Sequence, residues 1–248
     1  MQVQALTDIG RKRKVNQDYI FGSAKPVGAF PNLFLLADGM GGHKGGDFAS
    51  RYLIETIVGF VSRTVSSNPV RVLRNAVSMA NTLIYEKSHS MPELYGMGST
   101  LVAAVISGNV LTAANIGDSR LYIIRDGITQ VTRDHSYVEE QVAAGRMERY
   151  SADYNQYKNI ITRAVGTDER VAPDFFEADL MDGDYILLCS DGLTNMVDDD
   201  TILSCVSGHG SLQYKVRTLV DTANENGGND NIAVILIRYD AAGGDGNA

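Results

Sequence analysis

Residues 100–127 read TLVAAVISGNVLTAANIGDSRLYIIRDG, and this stretch sets the fold class. Three β-rich runs, TLVAAVI, NVLTAAN and RLYIIR, follow one another closely. SGN joins the first two and DG follows the third, and both are hairpin punctuators. Outward from this stretch, NLFLLAD (32–38), DYILLCSD (184–191) and NIAVILIRY (231–239) are nearly continuous apolar runs. Such runs mark strands covered on both faces. Two amphipathic helices lie between the first of these runs and residue 100. In 47–62, Ile54, Ile57, Val58 and Val61 recur at helical spacing. Asn68-Pro69 then offers a cap and a first-turn proline, before a stripe of Leu73, Ala76, Val77, Ala80, Leu83 and Ile84. A second pair is expected near the C-terminus, with Asp198, Asp199 and Asp200 ahead of TILSCV and then Leu212, Val216, Leu219, Val220 and Ala223. Hairpins in series with helices in pairs imply antiparallel sheets flanked by helices, not a βαβ alternation. Periodicity leaves the number of sheets open.

The chain has 248 residues and a net charge of −8. That acidity argues against a broad nucleic-acid or anionic-membrane surface, since both need basic patches. No apolar run approaches the ~20 residues of a membrane span, so no membrane insertion is expected. The N-terminus MQVQALTDIG has no basic region leading into an apolar stretch, so no secretory signal is read and a cytoplasmic location is expected. Two cysteines, Cys189 and Cys205, make neither a disulfide framework nor a zinc site. No repeat or linker divides the chain. One domain is expected over 1–240, with AAGGDGNA (241–248) as a disordered tail.

The aspartates occupy informative places. Asp38 ends one apolar run and Asp191 another, each followed at once by glycine, Gly39 or Gly192. Asp118 lies in NIGDSR between two β runs, Asp230 immediately precedes the last strand, and Asp18 closes the polar stretch RKRKVNQD. A single Asp-Gly after a strand is commonly just a turn. If these strand ends converge, however, the carboxylates repel and their pKa values rise, a conflict that divalent cations resolve. A carboxylate set without clustered His or Cys suits Mg²⁺ or Mn²⁺ rather than Zn²⁺. Gly39 would also let its carbonyl approach an ion closely.

The loop DGMGGHKGG matches neither G-x-x-x-x-G-K-[ST] nor G-x-G-x-x-G, so a phosphate cradle is a poor fit. Arg13 lies five residues before Asp18 and is either an anion-orienting guanidinium beside a metal or part of a solvated basic run. His43 is either a proton donor to a leaving group or a loop histidine. Cys189 reads as core and Met40 as loop packing.

These residues resemble a known family, the bacterial branch of the metal-dependent protein serine/threonine phosphatases (protein phosphatase 2C-like, PPM family). The match is carried by TDIGRKRKVNQD, LLADGMGGHKGGDFAS, GMGSTLVAA, ANIGDSRLYIIRDG, TRDHS, ITRAVG, YILLCSDGLTNMV and GGNDNIAVI, which occur in the family's order across 6–235. The resemblance implies an α+β fold, a four-layer α-β-β-α sandwich with two antiparallel sheets packed face to face. It also implies a site for two Mn²⁺ or Mg²⁺ ions. Asp38 would bridge the ions, Gly39 would contribute its carbonyl, and Asp191 and Asp230 would complete one shell. Asp18 would act near the second ion, directly or through water. Asp118 would join Asp191 at a third, weaker ion, Arg13 would hold the substrate phosphate, and 136–160 would form a flap. Eukaryotic members often carry Glu where Gln17 stands, and His where Met40 stands, which leaves the general acid between His43 and water.

The expected activity is hydrolysis of phosphoserine and phosphothreonine by a metal-activated water, without a nucleophilic side chain. Phosphoprotein substrates, a cognate serine/threonine kinase and a monomeric state go with it. A binding module on the same fold would be expected to lack one or more metal aspartates. A two-metal nuclease would need a basic groove.

Overall fold

The computed structural model describes residues 1–41, 45–149 and 151–241. The chain begins with β1 (Gln2–Asp8), β2 (Asp18–Ser23) and β3 (Leu33–Met40), then α1 (Gly45–Ser62) and α2 (Pro69–Ser90). Next come β4 (Gly98–Ser99), β5 (Leu101–Ser107), β6 (Val110–Ile116), β7 (Arg120–Ile124) and β8 (Ile128–Gln130). Two short helices, α3 (Tyr137–Ala143) and α4 (Ala152–Tyr157), precede β9 (Asp174–Asp179) and β10 (Tyr185–Cys189). The chain ends with α5 (Asp191–Thr194), α6 (Asp199–Ser207), α7 (Leu212–Glu225) and β11 (Ile232–Arg238).

Among the described residues the strands form two antiparallel sheets. One has the order β1-β11-β10-β7-β8, the other β2-β3-β5-β6-β9 with β4 added on β3. The period of two explains the continuous apolar runs. In β3, Leu33, Leu35 and Ala37 pack beneath α1 and α2, while Phe34 and Leu36 face the opposite sheet. In β11, Ile232, Val234 and Leu236 pack under α6 and α7, while Ala233, Ile235 and Ile237 turn inward to the first sheet's partner. Both faces are covered, so every position is apolar, each large side chain contributing about 1.5–3 kcal/mol on burial. The result is the expected α-β-β-α sandwich, with apolar layers between the two sheets and beneath each helix pair.

The helix starts follow local chemistry. Asn68 accepts the Arg71 N–H at 2.8 Å ahead of Pro69, and Asp198 accepts the Thr201 N–H at 2.8 Å. Segment 136–160 leaves the sandwich as an excursion carrying α3 and α4, closed at its neck by a bridge between Ser136 and Ile161. Part of it is buried. Val138, Glu139 and Tyr154 are buried, and Tyr154 donates its hydroxyl to Glu139. Ala241, expected in the tail, donates its N–H to Asp182. The rest of that tail, 242–248, lies outside the described residues.

Candidate active site

The site forms at one end of the sandwich, where strands of both sheets begin or stop. Asp38 near the end of β3 is the register partner of Asp18 at the start of β2. Asp38 is pinned through its backbone: its N–H donates to Thr100 Oγ1 at 3.0 Å, and its carbonyl accepts Thr100 N–H at 2.8 Å and Ser99 Oγ at 3.0 Å. From the other sheet, Ser190 at the end of β10 donates its hydroxyl to Asp18 Oδ2 at 2.7 Å. Ser190 in turn accepts the Ala233 N–H of β11. One hydroxyl thus ties both sheets together behind the carboxylates.

Both Asp-Gly pairs serve close approach rather than a turn, since neither glycine has a positive φ. A Cβ on Gly39 would lie 2.0 Å from the Gly46 carbonyl oxygen, where α1 begins. A Cβ on Gly192 would lie 1.8 Å from the Asn231 carbonyl oxygen. Only glycine lets α5 sit against the start of β11, and that contact brings Asp191 beside Asp230.

Asp38, Gly39, Asp118, Asp191, Asp230 and Arg13 line one cavity of about 280 Å³. Asp18 stands behind it, 5% exposed. The electrostatics follow from burial and crowding. Burial, then repulsion from Asp191 and Asp230, pushes Asp18 up to about 8, against the Ser190 hydrogen bond. Burial raises Asp38 well above the usual carboxylate range, reinforced by Asp18, Asp191, Asp118 and Asp230. Burial and Asp230 push Asp191 up to about 6, and burial and Asp191 raise Asp118. Asp38 is the register partner of Asp18 and feels Asp18, Asp191, Asp118 and Asp230 together, so it occupies the centre of the group.

The nearby arginines offset this charge only in part. Arg120 is engaged with Asp134 at 2.7 Å and with Tyr122. Arg13 Nη2 lies 2.7 Å from Asp230 Oδ2 and its side chain is half-exposed. Buried oxygens Oδ1 of Asp18 and Oδ1 of Asp191 accept no hydrogen bond. Orphaned, crowded carboxylate oxygens are hard-cation donors, so the residues present fit Mn²⁺ or Mg²⁺. Among the described residues no three His, Cys, Asp or Glu side chains form a ready-made cage. The fit therefore rests on convergence of charge rather than on preformed coordination.

The sequence reading left several supports unnoticed. Thr100, Ser99 and Ser190 hold the aspartates in place. Asn231 accepts the Gln17 N–H at 2.9 Å and donates to the carbonyls of Ile9 and Val15, fastening the loop that carries Arg13. Asn159 and Ile161, at the end of the α3–α4 excursion, also line the cavity, as does Met40, read from the sequence as loop packing. Cys189 is fully buried in the layer beneath α6 and α7, and burial pushes its thiol up to about 12. It is no nucleophile. His43 lies outside the described residues.

The model of the family described as protein phosphatase 2C matches residues 10–236. The chain belongs to that family. It is 39% identical over 242 residues to the protein phosphatase PhpP of Streptococcus pneumoniae, covering 96% of this chain and 97% of that one. The structure of the S. agalactiae serine/threonine phosphatase is similar with a TM-score of 0.89 at 36% identity, over 96% of this chain and 99% of that one. The catalytic domain of the phosphatase PstP, solved in complex with two manganese ions, is similar with a TM-score of 0.82 at 33% identity, over 95% and 96% of the two chains. This member of the protein phosphatase 2C family is a protein-serine/threonine phosphatase, and metal dependence is general to the family.

Proposed function

We propose that the carboxylate cluster at the end of the sandwich is the catalytic centre and that two divalent cations, Mn²⁺ or Mg²⁺, work there. The observation that carries this reading is Asp38, set opposite Asp18 in the β2–β3 register and repelled by Asp18, Asp191, Asp118 and Asp230, in a group of five carboxylates of which Arg13 pairs with Asp230 alone. Asp38, Gly39, Asp191 and Asp230 are the first candidates to hold the ions, with Asp18 behind the second. Asp118 and Asp191 are the candidates for a third. The manganese ions of PstP, at 33% identity over nearly the whole chain, favour the same chemistry here. When bound, such ions supply a nucleophilic water at neutral pH and offset charge on the phosphoryl oxygens.

The chain's own groups do the rest. Arg13 uses one nitrogen on Asp230, which orients the guanidinium, and its half-exposed remainder faces incoming phosphate. The anchored backbone around Asp38 and Asn231 keeps the carboxylates from relaxing apart. The excursion over 136–160 acts as the flap, and Asn159 and Ile161 bring it to the cavity wall. Water is the nucleophile, since Cys189 is inert. Phosphoproteins are the substrates, and a serine/threonine kinase is the opposing partner. No helix among the described residues is long and apolar enough to cross a membrane.

The test is phosphate release from a phosphothreonine peptide with and without Mn²⁺, for wild type and Asp191→Ala. Release that needs Mn²⁺ and vanishes in the variant supports the reading. Wild-type turnover by Asp191→Ala overturns it.

A further inference from the structure

His135 stands where the α3–α4 excursion leaves the sandwich, and its ring reaches into the turn that carries Asp118. Its backbone N–H donates to the Gly117 carbonyl at 2.9 Å, and its own carbonyl accepts the Thr162 N–H at 2.8 Å, across the excursion's neck. The ring adds a second tie. The Gly117 N–H donates to His135 Nδ1 at 3.1 Å, and His135 Nε2 lies 3.0 Å from Asp174 Oδ2. Asp174 is held from the other side by Arg163 Nη1 at 2.8 Å. The ring is 7% exposed.

Gly117 has little freedom to move. Its φ is +95°, and a Cβ there would lie 2.6 Å from Thr100 Cγ2, so the turn is pressed against the residue that anchors Asp38. Asn115 Nδ2 donates to the Gly117 carbonyl at 3.1 Å. The Gly117 carbonyl is therefore held by two donors, while the imidazole alone holds its N–H. A ring nitrogen that accepts an N–H carries no proton, and the proton on the other nitrogen meets a carboxylate.

We propose that His135 is a positioning residue whose neutral ring, protonated on Nε2, locks the Gly117–Asp118 turn and so fixes where the Asp118 carboxylate stands. The proposal rests on Asp118 as a cation ligand, as proposed above. His135 touches no reacting atom. It acts on the weakest cation through Asp118, as outer partners of metal ligands do. It also stands at the flap's neck, so the seating of that excursion and the position of Asp118 share one side chain.

Two substitutions separate the ring's two contacts. His135→Asn places an amide oxygen near the Nδ1 position and can still accept the Gly117 N–H. His135→Gln reaches toward Asp174 and leaves the Gly117 N–H without an acceptor. Hydrogen exchange of the metal-free protein over 114–121 is measured first, then Mn²⁺ binding by calorimetry, with Asp118→Asn as reference. The expected result is faster exchange in the Gln variant alone. Its weakest Mn²⁺ dissociation constant should rise about tenfold, as in Asp118→Asn, while the Asn variant stays within about twofold of wild type. Unchanged exchange in His135→Gln overturns the proposal. So does faster exchange with unaltered Mn²⁺ binding, if Asp118→Asn weakens that binding. Unaltered binding in Asp118→Asn overturns the cation reading of Asp118, and the exchange data then decide separately whether His135 pins the turn.

Discussion

Asp18 and Asp38 are directly opposed residues in the antiparallel pair β2–β3, two like charges side by side at a sheet's buried end. Such a pair is destabilising unless a proton or a cation lies between the carboxylates. Asp38→Asn removes the central charge at almost constant shape. The metal-free variant should melt higher than metal-free wild type at pH 8, by a few degrees for about 1 kcal/mol relieved. It should also lose phosphatase activity. A calorimetric scan of the two proteins in chelator checks the first point and a phosphopeptide assay the second.

The same repulsion predicts that Mn²⁺ stabilises the wild-type protein. At a free concentration a hundredfold above its dissociation constant, one bound ion contributes about 2.7 kcal/mol. The melting temperature should rise with added Mn²⁺ and fall back with EDTA. A wild-type shift retained by Asp191→Ala would contradict the assigned ligands.

Gly192 is predicted to be intolerant of any side chain. A Cβ there would lie 1.8 Å from the Asn231 carbonyl oxygen, so Gly192→Ala must push α5 away from β11. The expected cost is about 1–3 kcal/mol of stability. The loss in kcat/KM should exceed what the stability loss explains, because Asp191 and Asp230 move apart. Gly127→Ala, where nothing lies within 4 Å, is the control.

Arg13→Ala should lower kcat/KM for phosphopeptide about 10–100-fold, the equivalent of one charge-assisted contact worth 1.5–3 kcal/mol. Arg13→Lys should recover only part, since a point charge cannot hold Asp230 and a phosphoryl oxygen in one plane. An unchanged kcat/KM in Arg13→Ala would remove its role.

Away from the site, Asp184 accepts Arg125 Nε and Nη2, both at 2.6 Å, and the Met181 N–H at 2.8 Å. Burial pushes its carboxyl up, but the Arg125 and Met181 contacts together outweigh that and hold it below the ordinary 3.8. Its folded pKa is depressed, so its stabilisation is present above 3.8 and is lost as pH falls through the lower folded value. Asp184→Asn should therefore melt below wild type at pH 7, with the gap narrowing as the pH is taken below 3.8.

What the sequence made legible follows from how each part is stabilised. β3, β10 and β11 are buried on both faces, so their apolar runs announced them. β1, β2 and β9 are only partly buried and carry polar residues, and no local pattern picked them out. Asp38 and Asp191 were visible as carboxylates closing apolar strands. Their supports were not, because they act over distance in the chain: Thr100 reaches Asp38 across 62 positions, Ser190 reaches Asp18 across 172, and Asn231 reaches Gln17 across 214. A serine or asparagine in a loop carries no local sign of such a contact. The sequence reading gave Gly39 a role toward an ion, and the fold adds a need it did not see: like Gly192, Gly39 admits the close approach of another backbone.

Anomalous diffraction from crystals grown with Mn²⁺ tests the central claim most directly. Two strong peaks between Asp38, Asp191 and Asp230, with Asp18 behind them, are the predicted result. A fully occupied map with no peak among those three aspartates would contradict the account.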